Sequence, residues 1–448
     1  MKLYETIYHD IKHDIATKKL KQGDRLPSLT TLTNHYHCSK GTVLKALDLL
    51  SSKHIIFSKP KSGYYVASGL LPTHQAPAGF YLDTGNPTID AFPILDIKHC
   101  LHLAVDLYAQ HSLEMPLAGT NSLNELLVRH LADADVYTKI ENIHLIQGII
   151  PILTFLTLTP FPNQKKTILI EQPCFSYYVS FLKVNNVRVK TITRDDTGID
   201  LKLLEHHFKH DDIKFFYTIP RNHNPLGTHY SAKERKRIME LAVKYDVYVV
   251  EDDYFGNTHK LAKYAPLHFF SYGEKCIYLR SYSKEFPFIR IGIAVIPDSF
   301  QATFDMIANQ AYYYSYHMPN LISQATLEAY IQSSIHEKHT LQLNQEISQK
   351  LNLVRKVTAE WNPDVIKLIG ATSGYYFTLK VNPNISIDQL IDVLAKQQIF
   401  VISNADAYYD DATFNNSIRL SIARISSQNL KEALPVIYHT ILDLAEPL

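Results

Sequence analysis

The feature that most constrains the fold is a regular alternation of short apolar runs with amphipathic segments in the C-terminal part of the chain. Each apolar run has the length and composition of a buried strand, and the segments beside the runs carry apolar residues at helical spacing. Strands that alternate with helices form a mostly parallel sheet covered on both faces, so we predict an α/β body. The predicted strands are residues 167–171, 187–191, 214–218, 247–251 and 276–280, and the predicted helices are residues 123–131, 177–184, 201–207 and 232–245.

Length and charge indicate a second domain. The chain has 448 residues, which predicts two or three domains, and its 46% apolar and 20% charged residues are typical of folded proteins. Residues 1–68, which we call the head, carry eleven Lys/Arg against five Asp/Glu, whereas the remainder carries 34 against 39. A basic head on a slightly acidic body, residues 80–448, suggests a polyanionic partner for the head.

The cysteines and the longest uncharged run indicate where the chain resides. Cys38, Cys100, Cys174 and Cys276 are scattered without a CxxC pair, so neither a disulfide framework nor a zinc site is expected. The run 142–164 contains three prolines and a glycine, and we interpret it as a strand, a turn and a buried helix rather than a membrane span. The chain opens in a polar helical pattern, so we expect a reducing, cytoplasmic setting and no membrane partner.

The head has the element order of a winged helix-turn-helix. Apolar residues at helical spacing predict a first helix, Ser28 and Ser39 are N-caps for two more, and two short strands follow. The first turn of the third helix is the part that meets base edges in such domains, and a basic hairpin tip suits the DNA backbone. Each lysine alone fits an ordinary solvated surface; the ordered combination predicts DNA binding. The residues concerned are Ser39, Lys40, Thr42 and Lys45 on the helix, and Lys59 and Lys61 on the hairpin.

These residues make the head resemble the GntR-type winged helix. The matching motifs are residues 23–28, 39–43, 46–47 and 61–63. The resemblance implies that Arg25, Ser39, Lys40, Thr42 and Gly63 lie at double-stranded operator DNA. Residues 69–79, with two prolines, two glycines and no charge, are predicted to be a linker.

Three predicted strands of the body end in residues suited to one chemistry. Asn224 follows strand 214–218, Asp252 follows strand 247–251, and Lys284 follows strand 276–280. Parallel sheets bind ligands at the carboxyl ends of their strands. Singly, these residues fit a solvated loop or, for the carboxylates 251–253, a metal site. Together they fit pyridoxal 5'-phosphate, because a lysine forms a Schiff base with its aldehyde and a carboxylate keeps its pyridine nitrogen protonated.

The body resembles the fold-type I aminotransferases, which are pyridoxal-phosphate-dependent transferases, over nearly all of residues 80–448. The carrying motifs are residues 224–227, 252–254, 281–284, 290–292 and 418–421. The resemblance implies that Lys284 is the Schiff-base lysine and Asp252 the pyridine partner, although the neighbouring Asp253 leaves that choice open. Tyr254 and Asn224 would bind the ring oxygen.

The resemblance also implies contacts to the rest of the cofactor and to a ligand. Ser281 and Arg290 would hold the phosphate, Phe175 would stack on the ring, and Arg419 would bind the carboxylate of an amino acid. The turn that normally reads Ser/Thr-Gly-Ser-Gln reads Gln-Gly-Ile-Ile at residues 147–150. Gly148 and the backbone amides remain, but the hydroxyl is lost, and the segment 284–290 is one residue shorter than usual. We therefore expect weakened cofactor binding.

A GntR-type head joined to an aminotransferase-like body resembles the MocR family of bacterial transcription regulators. Members are typically head-to-tail, domain-swapped homodimers that use pyridoxal phosphate, sometimes with an amino acid, to change how their heads sit on DNA. The resemblance implies a pyridoxal-phosphate-responsive regulator. Two alternatives stay open: an active aminotransferase that carries a DNA-binding domain, and a regulator that has lost the cofactor.

Two further clusters have simpler interpretations. His206 and His210 are four residues apart on a predicted helix and could ligate a metal, but a solvated helix surface is favoured. Aromatic residues cluster near the middle of the body, where a core or a subunit interface is expected. They are Tyr312, Tyr313, Tyr314 and Tyr316.

Overall fold

The computed structural model describes residues 3–17, 19–53, 55–59, 62–67, 79–88, 92–109, 119–256, 264–310 and 318–445. The chain divides into two compact units with the boundary between residues 78 and 79. Of the predicted linker only residue 79 falls within the described ranges, and Lys61 and the four clustered tyrosines lie outside them.

The head folds as three helices and a hairpin, as predicted. The hydroxyl of Ser28 accepts the Thr31 N–H at 3.1 Å, and that of Ser39 accepts the Thr42 N–H at 3.3 Å, so both predicted N-caps are confirmed. The third helix buries Val43, as expected from its apolar spacing. The elements are α1 (Leu3–Ala16), α2 (Leu29–His35), α3 (Lys40–Ser52), β1 (Ile56–Lys59) and β2 (Gly63–Val66), the two strands being antiparallel.

The body begins with a short strand, β3 (Phe80–Tyr81), and is built on an eight-stranded sheet. Its strand order is β4-β11-β10-β9-β8-β5-β6-β7, with β11 antiparallel to both neighbours, β7 antiparallel to β6, and the other pairs parallel. The predicted mostly parallel sheet is confirmed. The strands are β4 (Ile143–Ile146), β5 (Thr167–Gln172), β6 (Val189–Asp195), β7 (Gly198–Ile199), β8 (Ile213–Thr218), β9 (Tyr248–Asp253), β10 (Cys276–Ser281) and β11 (Gly292–Val295).

Helices cover both faces of this sheet because its strands are apolar on both sides. Val250 belongs to the core under the helices at residues 149–158, 176–184 and 298–310, whereas its neighbour Val249 belongs to the core under the helices at residues 201–210 and 232–244. The helices on the large sheet are α4 (Ile94–Tyr108), α5 (Asn121–Ala132), α6 (Ile149–Leu158), α7 (Ser176–Val184), α8 (Leu201–His210), α9 (Ala232–Lys244), α10 (Leu267–Phe270), α11 (Asp298–Gln310) and α12 (Leu321–Gln332).

A smaller antiparallel sheet completes the body. Its order is β12-β13-β16-β15, and three helices share a core with it. Strand β3 pairs in parallel with β14, and the Ser421 N–H donates to the Leu82 carbonyl at 2.8 Å, so residues 80–82 lie against this sheet. The elements are β12 (Ile366–Gly370), β13 (Tyr376–Val381), β14 (Ile399–Phe400), β15 (Ile402–Ser403), β16 (Ser417–Ser421), α13 (Ile335–Thr358), α14 (Ile387–Lys396) and α15 (Ser427–Ala445).

The run 142–164 forms β4 and the buried helix α6, which confirms the interpretation made from its prolines. Among the described residues, no helix combines the length and the apolar character that crossing a bilayer requires.

Candidate functional site

The predicted site residues gather where three neighbouring strands end. Strands β8, β9 and β10 are adjacent in the sheet, and their carboxyl ends lead to Asn224, Asp252 and Lys284. Parallel strands bring such residues to one edge of the sheet, which is where this fold class binds ligands.

Lys284 is held by a segment whose role the sequence did not reveal. Its Nζ donates to the Gly85 carbonyl at 2.6 Å and to Asn86 Oδ1 at 2.7 Å. A Cβ at residue 85 would lie 1.9 Å from the Tyr376 hydroxyl, so only glycine permits this approach. The segment 83–86 has no apolar periodicity, and we see no sequence signal that would have predicted its contact with the lysine.

Asp252 is buried and has one free oxygen. Oδ2 accepts from the Tyr217 hydroxyl at 2.6 Å, whereas Oδ1 has no hydrogen-bond partner within the described part of the chain. Burial raises the pKa of this carboxyl to about 7. The nearby charge of Asp253 acts in the same direction, whereas the Tyr217 hydrogen bond and the backbone N–H of Tyr254 oppose it. A cationic N–H placed at Oδ1 would restore the ionised form and satisfy the free oxygen.

Asp253 lies on the opposite face and is fully engaged. Arg221 donates to both of its oxygens, through Nε at 2.5 Å and through Nη2, and the Tyr278 hydroxyl donates to Oδ2 at 2.6 Å. Burial acts to raise its pKa, but Arg221 outweighs that effect and the pKa is lowered. Glu251 is also buried and accepts two backbone N–H groups. The solvated-loop interpretation of these three carboxylates is therefore wrong.

Arg419 and Asn224 meet across the two sheets of the body. Arg419 Nη1 donates to Asn224 Oδ1 at 3.3 Å, Nη2 donates to the Asp83 carbonyl at 2.5 Å, and the guanidinium lies 4.9 Å from the centre of the Tyr376 ring. The Tyr254 hydroxyl donates to the Asn222 carbonyl at 2.7 Å. The arginine is thus tied to the same segment, 83–86, that holds Lys284.

Two of the residues predicted to bind phosphate, Gly148 and Arg290, lie at the N-terminus of α6. Gly148, at φ +142°, precedes the helix, and no side chain caps its first turn. A Cβ on Gly148 would lie 3.9 Å from Arg290 Nη2, and within the described residues the exposed Arg290 makes no hydrogen bond or ion pair. Ser281 is buried, and its Oγ accepts the Ser283 N–H at 3.3 Å. Unpaired helix N–H groups beside an arginine form an anion site.

Phe175 lies where β5 leads into α7. It precedes the first residue of the helix, and its partly buried ring lies 5.6 Å, centroid to centroid, from that of Tyr177. The ring packs against the same core that carries Asp252's partner Tyr217.

Sequence reasoning also missed a buried network at the end of β5. The Glu171 carboxylate accepts from Arg194 Nη1 at 2.8 Å and Thr218 Oγ1 at 2.6 Å, from the hydroxyl of Tyr230, and lies 3.1 Å from His223 Nε2. Burial acts to raise its pKa, but Arg194 and His223 lower it to about 2. Because His223 is one residue from Asn224, this network fixes the turn that presents Asn224.

The predicted DNA-binding residues form two groups in the head. Ser39 and Lys40 are exposed and Thr42 is partly exposed at the start of α3. On the wing, Gly63 has φ +114°, and a Cβ there would lie 3.3 Å from Arg25 Nε, so the arginine lies directly against the wing glycine.

Two lysines of the head lie over aromatic rings. Lys45 Nζ is 4.6 Å from the centre of the Tyr4 ring, and Lys59 Nζ is 4.5 Å from that of Tyr65.

In the body, the rings of His206 and His210 lie 4.8 Å apart on α8. The described residues include no cluster of three or more metal-ligating side chains.

Comparisons with known proteins agree with this architecture. The model of the family "Bacterial regulatory proteins, gntR family" matches residues 3–66, and that of "Aminotransferase class I and II" matches residues 109–437. The chain is 31% identical to the HTH-type transcriptional regulator YcxD of Bacillus subtilis over 98% of this chain and 99% of that protein. It is 22% identical to the HTH-type transcriptional regulator NorG of Staphylococcus aureus over 92% and 98% of the two chains.

Solved aminotransferases share the fold of the body. A kynurenine aminotransferase of Pyrococcus horikoshii superposes with a TM-score of 0.73 at 22% identity, over 83% of this chain and 93% of that one. A multiple substrate aminotransferase of Thermococcus profundus gives a TM-score of 0.71 at 19% identity, over 83% and 93%. With a GntR-type DNA-binding domain followed by an aminotransferase class I and II domain, the chain belongs to the MocR family of transcription regulators.

Proposed function

We propose that this regulator binds pyridoxal 5'-phosphate in its aminotransferase-like domain and that the bound cofactor changes its affinity for operator DNA. The observation that carries the proposal is Asp252 Oδ1, a buried carboxylate oxygen without a partner at the strand end beside the one that leads to Lys284. Buried carboxylate oxygens are normally hydrogen-bonded, so a free one favours a ligand that donates a proton there.

The residues present fit the cofactor's parts. Pyridoxal phosphate supplies an aldehyde that bonds to amines and a pyridine ring that withdraws electrons. Lys284 offers an amine already oriented by Gly85 and Asn86, and Asp252 would hold the proton of the ring nitrogen. Arg290 and the α6 N-terminus would bind the phosphate, Ser281 would add a hydroxyl, and Phe175, Tyr254 and Asn224 would surround the ring.

Arg419 suits the carboxylate of an amino-acid effector. Its guanidinium donates hydrogen bonds to two uncharged groups, the Asn224 amide oxygen and the Asp83 carbonyl. The planar guanidinium group frequently binds carboxylates through two parallel hydrogen bonds. We therefore propose that an amino acid approaches Lys284 from the side of Arg419.

The phosphate end of the site has fewer side-chain donors than the corresponding turn usually offers. The first residue of α6 is the apolar Ile149, so backbone N–H groups and Arg290 would carry the phosphate without the hydroxyl usual in this turn. We expect an affinity low enough for the cofactor to exchange, as a sensor requires.

We further propose that the chain binds its operator as a homodimer, domain-swapped as is typical of the family. Leu95 and Val105 on α4 are 79% and 60% exposed, and apolar residues on one helix favour contact with a second copy. Light scattering should give twice the mass of one chain, and the operator should contain two symmetric half-sites. A monomer that binds a single half-site would contradict this part.

Absorption spectroscopy tests cofactor binding. Titration of the full chain with pyridoxal phosphate should produce the visible absorption of a lysine-bound cofactor, and Lys284→Ala should abolish it. No band with the wild type, or the same band with the variant, would rule out the site. Incubation with amino-acid and keto-acid pairs separates the alternative function, because a working aminotransferase would form product.

A further inference from the structure

Helix α3 of the head has a buried side and an exposed side over its first three turns. The buried side consists of Val43, Ala46, Leu47 and Leu50. The exposed residues recur at helical spacing on the opposite side and form what we call the outer stripe: Lys40, Gly41, Leu44, Lys45 and Asp48. Because the start of α3 carries the residues assigned to DNA, the outer stripe is the surface that would enter a groove.

Leu44 supplies the apolar side chain of the outer stripe. It is 37% exposed and lies outside the set of residues that forms the core of the head. One exposed leucine is ordinary in a folded protein, so its position is what matters. A helical side chain leans towards the N-terminus of its helix, and Leu44 therefore covers the turn that contains Lys40 and Gly41.

Gly41 leaves open space beside Leu44. A Cβ at residue 41 would meet only Ser39 Oγ, at 3.8 Å, which is an ordinary van der Waals contact, and the residue does not have a left-handed φ. The fold would therefore accept alanine there, although glycine is a poor helix former. A bare backbone does allow another molecule to approach closely. Gly41 and Leu44 together form what we call the apolar notch.

The charged members of the outer stripe flank the apolar notch. Lys40 is exposed at the start of the helix, and Lys45 lies over α1, with its Nζ 4.6 Å from the centre of the Tyr4 ring. Asp48, one turn beyond Leu44, is exposed, and its carboxylate would be repelled by DNA phosphates. Close contact with DNA is thus favoured at the first two turns of α3, where Leu44 would face the edge of a base.

Thymine is the base that suits the apolar notch. In the major groove it presents its C5-methyl group, whereas the standard edges of the other bases present hydrogen-bond donors and acceptors. Leucine can pack against a methyl group but would leave a donor or acceptor without a partner. We propose that Leu44 and Gly41 recognise the methyl group of a thymine in each operator half-site. The proposal rests on operator binding by the head and adds to it the base that α3 prefers.

Replacement of thymine by deoxyuridine tests the proposal, because it removes the methyl group and leaves the base pair intact. The probe is a duplex that the full chain selects from a random-sequence library, with each thymine of one half-site replaced in turn. At one position the replacement should weaken wild-type binding about threefold to fourfold, as expected for one buried methyl group. Leu44→Ala should bind the selected duplex more weakly than wild type, and the same replacement should no longer affect it.

The outcomes separate this proposal from operator binding itself. If wild type binds the selected duplex but no thymine methyl group matters, or if Leu44→Ala responds to deoxyuridine as wild type does, the proposal is overturned while operator binding stands. A full chain that selects no duplex would refute operator binding and the proposal with it.

Two further variants separate recognition from folding. Gly41→Ala should not lower the free energy of unfolding, because alanine suits a helix, yet it should weaken operator binding about threefold because its methyl group would fill the apolar notch. Leu203→Ala changes a leucine of similar exposure, 41%, on α8 of the body and should alter neither the affinity nor the effect of deoxyuridine. Undiminished affinity in Gly41→Ala, or a lost deoxyuridine effect in Leu203→Ala, would contradict the assignment.

Discussion

The adjacent carboxylates Asp252 and Asp253 have opposite tasks because successive side chains of a strand point to opposite faces. Asp252 lies on the face of Tyr217 and keeps one oxygen free, whereas Asp253 is saturated by Arg221 and Tyr278. The sequence alone could not decide which of the two carboxylates meets a ligand, because it does not reveal which face of the sheet each side chain occupies. The geometry favours Asp252 as the residue that meets a ligand.

Matched asparagine substitutions test this division. Asp252→Asn should lower pyridoxal phosphate affinity about tenfold without lowering the free energy of unfolding, because Tyr217 can still donate to the amide oxygen. Asp253→Asn should destabilise the fold by about 3 kcal/mol, because it leaves the buried Arg221 unpaired. Denaturant unfolding and spectroscopic titration measure both quantities. The reverse pattern would assign the ligand to Asp253.

The pH dependence of the free energy of unfolding should also reveal the raised pKa of Asp252. A carboxyl whose folded pKa is about 7 holds its proton more tightly than the unfolded chain does, so its contribution to stability falls as pH rises from the unfolded value of 3.8 towards 7. Between pH 5 and 7, without cofactor, wild type should lose up to about 1.4 kcal/mol per pH unit relative to Asp252→Asn. Parallel pH profiles of the two proteins would show that the carboxyl titrates normally.

At the scale of elements, the sequence predicted those strands best that are apolar on both faces. Residues 276–280 were predicted and Cys276–Ser281 observed, and residues 214–218 were predicted where Ile213–Thr218 forms. Strand β6 was predicted at residues 187–191 but forms at Val189–Asp195. Its polar end pairs with β7 in a hairpin, which the pattern of apolar residues does not reveal.

Long-range polar contacts were the part of the site that could not be predicted. The segment 83–86 holds Lys284 and Arg419 from about 200 and 336 residues away. Glu171 and Arg194 pair across neighbouring strands whose order is a property of the sheet. Neither contact leaves a local periodicity, so only the fold reveals them.

The contribution of the α6 N-terminus to phosphate binding can be tested separately from the rest of the site. Arg290→Gln should weaken pyridoxal phosphate binding about tenfold, because a charge-assisted hydrogen bond contributes about 1.5–3 kcal/mol. Pyridoxal, which lacks the phosphate, should bind the variant and the wild type equally. If both compounds lose affinity to the same extent, Arg290 acts on the fold of the site rather than on the phosphate.

Two lysines at opposite ends of α3 allow a controlled test of DNA binding. Lys40 is exposed at the start of the helix, and Lys53 follows its last residue. Lys40→Ala should reduce operator affinity and the slope of affinity against salt by about one counterion, whereas Lys53→Ala should change neither appreciably. Fluorescence anisotropy across a salt series measures both. Equal effects of the two substitutions would refute the assignment of the helix start to DNA.

At the scale of the whole molecule, the chain joins a DNA-binding unit to a unit with the fold of an enzyme. A ligand in the body changes operator binding only if it has different affinities for two arrangements of the protein. Lys284 is the residue through which the cofactor would exert that preference, since it also contacts segment 83–86 near the start of the body. Enzyme turnover is not required for such a coupling.

The most direct test is operator affinity of wild type and Lys284→Ala, each measured with and without pyridoxal phosphate at one salt concentration. We predict that the cofactor changes wild-type affinity at least about fivefold, which corresponds to a coupling of about 1 kcal/mol. The variant should bind the operator equally well in both conditions. A wild-type affinity that the cofactor leaves unchanged, or an equal change in the variant, would contradict the account.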